Sequence, residues 1–203
     1  MPLIKKITSL INGTLEVTHI NGKKTLDTAN ANYSYGDLQK ILKCGLQQLD
    51  LTSVNSVLLL GLGGGSVIKT LYDDFNYKGR IIAVEIDPVI IGIAANEFGI
   101  QPSEKLLIHC ADAFEFVKLT GEKYDLIITD IFIDNKIPEE LYGLPFWQAV
   151  AKIVSPSGIV LLNTIEHTAA SLEPVKAFMK KAGFSLKEYG KVRGTNRLVV
   201  WRY

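Results

Sequence analysis

The sequence predicts a doubly wound α/β fold: a mostly parallel sheet with helices on both faces, preceded by a small antiparallel ribbon. Three observations carry this expectation. From Val57 onward, short apolar runs alternate with helical patterns, the mark of a parallel sheet covered on both sides. Ser56 to Pro88 reads as strand, glycine turn, helix, strand and terminal acid, the core of a nucleotide-binding βαβ unit. Only Gly190 to Gly194 separates the last two strand patterns, so they form a hairpin that puts an antiparallel strand at the sheet edge.

The first thirty residues differ from the rest. Asn12-Gly13 and Asn21-Gly22 separate the runs Leu3 to Ile11, Thr14 to Ile20 and Lys23 to Asp27. Asn-Gly favours the type I′ turn, which predicts a hairpin or three-stranded meander. Such a ribbon is marginal alone and must pack on the main domain or on a second subunit. We therefore expect an appendage over 1–30 and one nucleotide-binding domain over 31–203. Ser34 and Asp37 have the spacing of a capping box for a helix through Leu49.

Strands are expected at 57–60, 81–85, 106–110, 124–130, 158–165, 184–190 and 196–202. Helices are expected at 66–75, 88–98, 113–119, 144–154 and 171–182, with Asp87 and Pro88 forming an N-cap and first helical residue.

Composition sets bounds. The 203 residues are 47% hydrophobic and 21% charged with a net charge of +1, so nothing calls for a nucleic-acid or membrane partner. No stretch of about 18 apolar residues predicts a transmembrane helix, and no apolar leader follows Lys5 and Lys6. The expected compartment is the cytoplasm. Cys44 and Cys110 are expected as buried thiols in a reducing compartment, and no metal triad is visible among the cysteines and His19, His109 and His167. His109 is expected in the core, and His167 within reach of the crevice.

Chemistry concentrates at the strand ends. Gly61, Gly63, Gly64 and Gly65 form a tight turn to which a ligand can approach closely. Glu85 lies 20 residues beyond the last glycine, where a carboxylate accepts both ribose hydroxyls, so the ligand is expected to be an adenosine compound. Asp112 opens a helix and can both cap it and accept from the adenine amine. Asp130 ends the fourth strand and faces the crevice, as general base or as a group orienting the substrate's amine. Asp125 lies at the opposite end and reads as structural. Asp134 reads as a second loop acid, either at the crevice or simply exposed, and 131–145 as a lid over the crevice. Phe132 and Tyr142 in it, and Phe146 and Trp147 just after it, suit either pocket or core.

VLLLGLGGGSVIKTLY, AVEIDPVIIGIA, HCADAFEFV and YDLIITDIF together resemble the spermidine synthase-like (polyamine aminopropyltransferase-related) branch of the S-adenosylmethionine (SAM)-dependent methyltransferase superfamily. The likeness extends over roughly residues 12 to 165 and includes the N-terminal hairpin and Leu26 to Gly36. It implies a Rossmann-like fold with a seven-stranded sheet. It also implies an adenosine-sulfonium donor, SAM or decarboxylated SAM, held by Gly61, Gly63, Gly64, Gly65, Glu85, Ile86, Asp112, Ala113 and Asp130. The match assigns the catalytic role to Asp130, and the family implies a homodimer.

Departures from the family bear on the substrate. The family's glycine loop carries an acid where Gly64 stands. Ile133 occupies the place of a second acid, with Asp134 one step late, and Tyr35-Gly36-Asp37 replaces Tyr-His-Glu. A polyamine's ammonium groups need carboxylate acceptors when desolvated. The expectation is therefore a SAM-dependent transferase moving a methyl group to a small molecule. Aminopropyl transfer from decarboxylated SAM is the alternative, and a non-catalytic binding module a third reading. An NAD-dependent oxidoreductase is discouraged by the terminal hairpin and by the lack of a Tyr-x-x-x-Lys pair.

Overall fold

The computed structural model describes residues 3–28, 32–134, 136–165, 168, 171–192 and 196–203. Four antiparallel strands come first: β1 (Leu3–Ser9), β2 (Gly13–Ile20), β3 (Lys23–Asp27) and β4 (Asn32–Ser34), adjacent in that order. After α1 (Gly36–Leu46) the chain alternates. It runs through β5 (Ser56–Leu60), α2 (Ser66–Lys69), β6 (Arg80–Glu85), α3 (Pro88–Phe98), β7 (Leu106–Cys110), α4 (Ala113–Leu119), β8 (Tyr124–Thr129), α5 (Leu144–Ile153) and β9 (Val154–Ile165). It closes with α6 (Glu173–Lys181), β10 (Ser185–Val192) and β11 (Asn196–Arg202).

The main sheet is ordered β10-β11-β9-β8-β5-β6-β7. Strands β5 to β9 pair in parallel, whereas β11 is antiparallel to both β9 and β10. The terminal hairpin is as expected, but its antiparallel strand lies inside the sheet and β10 takes the edge. Residues Leu198 to Trp201 of β11 are buried, so that strand needs neighbours on both sides. Strand β9 starts at Val154, four residues earlier than the apolar run predicts. Helix α2 continues as a π-helical turn over Thr70–Asp74, which keeps Tyr72 and Phe75 packed against the core.

Both faces of the sheet are filled. One apolar cluster contains Leu59, Ile81 and Leu161 with α1 and α3, and the other contains Leu58, Val84 and Trp201 with α5 and α6. Leu15, Val17 and Leu26 of the N-terminal sheet belong to the first cluster, so the ribbon packs on the main body. Polar anchors fix its position. Asp87 caps α3 by accepting Val89 N–H at 2.9 Å, and its other oxygen accepts from Ser9 Oγ and from Asn12 Nδ2 at 2.7 Å. Lys5 and Lys24 both pair with Glu97 near the end of α3. Asn12→Ala removes its buried hydrogen bond to the Asp87 carboxylate, worth about 1.5–3 kcal/mol. The midpoint of thermal unfolding should fall by about 3–12 °C, measurable by calorimetry.

Four local expectations are overturned. Asn21 and Gly22 both have positive φ, as a type I′ turn requires, but Asn12 does not, and the first hairpin turns over Leu10 to Asn12. Asn12 is held by Asp87 instead. Ser34 and Asp37 form no capping box: Tyr35 precedes α1, Asp37 pairs with Lys40, and the Ser34 hydroxyl serves the glycine loop. Cys44 and Cys110 are exposed, not buried. His109 is likewise exposed, because β7 is an edge strand, and its ring lies 5.2 Å from Phe116. His167 lies outside the described residues.

Candidate functional site

The carboxyl ends of β5, β6, β7 and β8 meet along one edge of the sheet, and the loops leaving them carry the candidate residues. Gly61 N–H donates to Val84 C=O at 2.9 Å, Asp130 N–H to Leu60 C=O at 2.8 Å and Ala111 N–H to Glu85 C=O at 2.9 Å. These bonds extend the parallel ladder by one step, so Gly61, Asp130 and Glu85 are fixed relative to one another by backbone.

The glycine loop is tight for identifiable reasons. Gly61, Gly63 and Gly65 have φ of +94°, +52° and +80°, a region that side chains with a Cβ rarely adopt. A Cβ on Gly61 would lie 2.2 Å from the Asp130 carbonyl oxygen, and one on Gly65 would lie 2.4 Å from Ile100. Gly64 has an ordinary φ, but its Cβ would fall 2.9 Å from Ser34 Cβ and 3.2 Å from Phe98. Ser34 is buried and its hydroxyl accepts Ser66 N–H at 3.4 Å, at the start of α2. Tyr35, in a strained conformation (φ 67°, ψ −166°), stacks on Phe98 with centroids 4.5 Å apart. The space beside Gly64 is therefore closed by β4 and α3.

Glu85 is buried and organises the loop. Its Oε2 accepts Leu62 N–H at 3.0 Å and Gly63 N–H at 3.3 Å, and its Oε1 accepts Asp87 N–H at 3.0 Å. Burial pushes this carboxyl above its ordinary range, the three backbone donors offset part of the effect, and the Asp87 charge adds a smaller rise. A carboxylate has about four acceptor positions, and three of them are taken here. Ile86 follows and is 41% exposed.

Asp112 caps α4: its Oδ1 accepts Phe114 N–H at 2.7 Å and Glu115 N–H at 3.4 Å. Both cap bonds use one oxygen, so capping does not consume the other. Ala113 begins the helix and is buried.

Asp130 is half-buried, and burial raises its carboxyl to about 6 while one hydrogen bond from Asn163 opposes the rise. Asn163 Nδ2 donates to Asp130 Oδ1 at 2.9 Å. Asp125, at the other end of β8, accepts from Asn55 N–H, Ser56 N–H and Ser56 Oγ, a structural role as expected. Asp134 is half-buried, not exposed: it accepts from Thr28 Oγ1 and ties the loop after β8 to the N-terminal sheet. Beyond the 131–145 segment, Phe146 and Trp147 of α5 are core residues, and Trp147 Nε1 donates back to Leu141 C=O at 2.6 Å. Phe132 and Tyr142 are half-buried.

Two participants escaped sequence reasoning. Ser34 looked like a helix cap. Asn163 could have been found, because an amide inside the apolar run GIVLLNTI must have a buried partner.

The spermine/spermidine synthase domain matches residues 42–192. The chain belongs to that family. It is 39% identical over 128 residues to a polyamine aminopropyltransferase of Vibrio vulnificus, spanning 59% of this chain and 42% of that one. It is also 33% identical over 159 residues to the mouse eEF1A lysine and N-terminal methyltransferase, spanning 72% of this chain and 22% of the relative. The chain thus spans less than half the length of these relatives. Human methyltransferase-like protein 13, solved in complex with SAH, superimposes with a TM-score of 0.67 at 28% identity over 82% of each chain. A probable spermidine synthase from Corynebacterium glutamicum superimposes with a TM-score of 0.70 over 99% of this chain and 77% of its own, and its 16% identity supports the shared fold.

Proposed function

We propose that this family member is a SAM-dependent transferase that moves a methyl group to an amine or other nucleophile. Donor binding would use the glycine loop from Gly61 to Gly65 against the methionine tail and sulfonium. Glu85 would accept from the ribose through its remaining position on Oε1, and Asp112 from the adenine amine through the oxygen not used in capping. Ile86 and Ala113 would flank the nucleoside. Asp130 would orient the acceptor and take its proton, while the protein's main contribution is alignment of nucleophile, methyl carbon and sulfur.

The observation that carries methyl over aminopropyl transfer is the closed space at Gly64. The family's acid cannot be accommodated there without displacing Ser34 and Phe98, so the donor's ammonium lacks that carboxylate. Decarboxylated SAM offers only an ammonium at its tail. SAM adds a carboxylate, which suits backbone N–H groups near a helix start. The methyltransferase relatives support the same choice, and their protein substrate extends the acceptor classes from small molecules to a lysine or N-terminal amine of a protein.

Thermal stability against SAM, SAH, decarboxylated SAM, methylthioadenosine and NAD tests the reading. A ligand at 100 times its dissociation constant stabilises by about 2.7 kcal/mol, so SAM and SAH should raise the melting temperature clearly and NAD should not. Preference for decarboxylated SAM and methylthioadenosine would restore aminopropyl transfer. That second reading is favoured by the Vibrio relative and by the position of Asp130 at the end of β8.

A further inference from the structure

The Asp130 carboxylate is the end of a chain of amides that crosses three strands. Asp130 follows β8, Asn163 lies in β9 and Asn196 opens β11, and these strands are neighbours in the sheet. Asn163 Nδ2 donates to Asp130 Oδ1 at 2.9 Å, and Asn163 Oδ1 accepts Asn196 Nδ2 at 2.9 Å. Asn163 is fully buried. An amide without partners would be costly in that environment, so its two ends must both be used.

The polarity of the chain matters. A side-chain amide can present either its NH₂ or its oxygen, and the two orientations have opposite effects on a neighbouring carboxylate. The Asn196 amide donates, which requires the Asn163 oxygen to face it and turns the Asn163 NH₂ to Asp130. Without Asn196, Asn163 could rotate and accept from Asp130 once that carboxyl is protonated, which favours the protonated form.

We propose that Asn163 and Asn196 are positioning residues for group transfer: Asn196 fixes the orientation of the Asn163 amide, and Asn163 holds Asp130 Oδ1, leaving Oδ2 to the acceptor. This rests on the reading of Asp130 as the acceptor-side acid. Burial and the Asn163 bond are the two causes acting on its proton affinity, with no charged side chain among the described residues contributing. The acids nearest in the architecture are committed elsewhere: Glu85, two strands away, to the glycine loop, and Asp134 to Thr28. Glu166 and His167, which follow β9, lie outside the described residues.

The test is the titration of Asp130 by carbon NMR of aspartate-labelled protein, with Asp130→Asn used to assign the resonance. Asn163→Leu keeps the volume and removes the donor. Losing one hydrogen bond to a charged acceptor should raise the midpoint by about one pH unit. Asn196→Ala should move it in the same direction by less, although Asn196 does not touch Asp130. An unchanged midpoint in Asn196→Ala would overturn the chain, whatever Asn163→Leu does, because a merely structural amide has no reason to depend on Asn196. If Asn163→Leu fails to fold, the half-buried Asn196 position decides alone. Turnover is not needed for this readout. Failure of the reading of Asp130 as the acceptor-side acid would show separately, as Asp130→Asn leaving transfer intact.

Discussion

Asp130→Asn is expected to lower the rate of transfer by about 10²–10⁴-fold, the usual contribution of a positioned acid or base, while donor affinity changes little. The amide keeps the shape of the carboxylate and can still accept from Asn163 Nδ2, so the strand end should remain in place. It cannot take a proton. Donor titration by calorimetry together with single-turnover rates checks both halves, and a variant that transfers at the wild-type rate would remove Asp130 from the chemistry.

The same substitution should make the protein more stable at neutral pH. The folded-state carboxyl titrates near 6, above its ordinary value of 3.8. Between those two pH values the native state therefore binds more protons than the unfolded state, and this group's contribution to stability falls as pH rises through that window. At pH 7 wild type holds a charge in a half-buried site, whereas Asp130→Asn does not. The variant's advantage should shrink below pH 6 and vanish near pH 4. Wild-type transfer should show the complementary profile, rising with pH through about 6 as the base loses its proton, then levelling. Lost rate with gained stability is the pattern of a site whose burial serves function rather than folding.

Much of the architecture was legible because local and global signals agreed. The bounds of α3 and α4 follow from Asp87-Pro88 and Asp112, whose side chains cap those helices as their residue types predict. The glycine loop and Glu85 were legible because apolar strand, glycines and acid occur in a fixed order. What failed was mostly relational. Ser34 has a cap-like spacing to Asp37, but the hydroxyl found Ser66 N–H, thirty-two residues away. Asn12-Gly13 looked like a turn of its own, yet Asn12 is held by Asp87 across the ribbon. His109 looked buried because it lies inside a strand, and no periodicity says that a strand is the last in its sheet. Asn196 became meaningful only when β11 was placed between β9 and β10. These residues owe their roles to partners distant in the chain, which a single sequence does not pair.

Gly61→Ala is expected to be among the most damaging substitutions that add only a methyl group. Two costs coincide there. The backbone has φ of +94°, and holding a residue with a Cβ in such a region costs on the order of 1–3 kcal/mol. The new Cβ would also lie 2.2 Å from the Asp130 carbonyl oxygen, and forcing atoms into a packed site typically costs about 1–3 kcal/mol more. That oxygen belongs to backbone that donates from Asp130 N–H to Leu60 C=O, so relief requires β5 and β8 to part at their carboxyl ends. The expected result is a melting temperature lowered by on the order of 10 °C and donor binding lost, since the loop and Asp130 would no longer keep their spacing. Gly121→Ala, in the exposed loop before β8 with no atom within 4 Å of its Cβ, should change neither. Calorimetry on both variants, with SAH as the probe, separates the outcomes. A stable Gly61→Ala that still binds SAH would mean that contact between the two strand ends is dispensable. A stable Gly61→Ala that has lost SAH would place the glycine requirement in ligand approach alone.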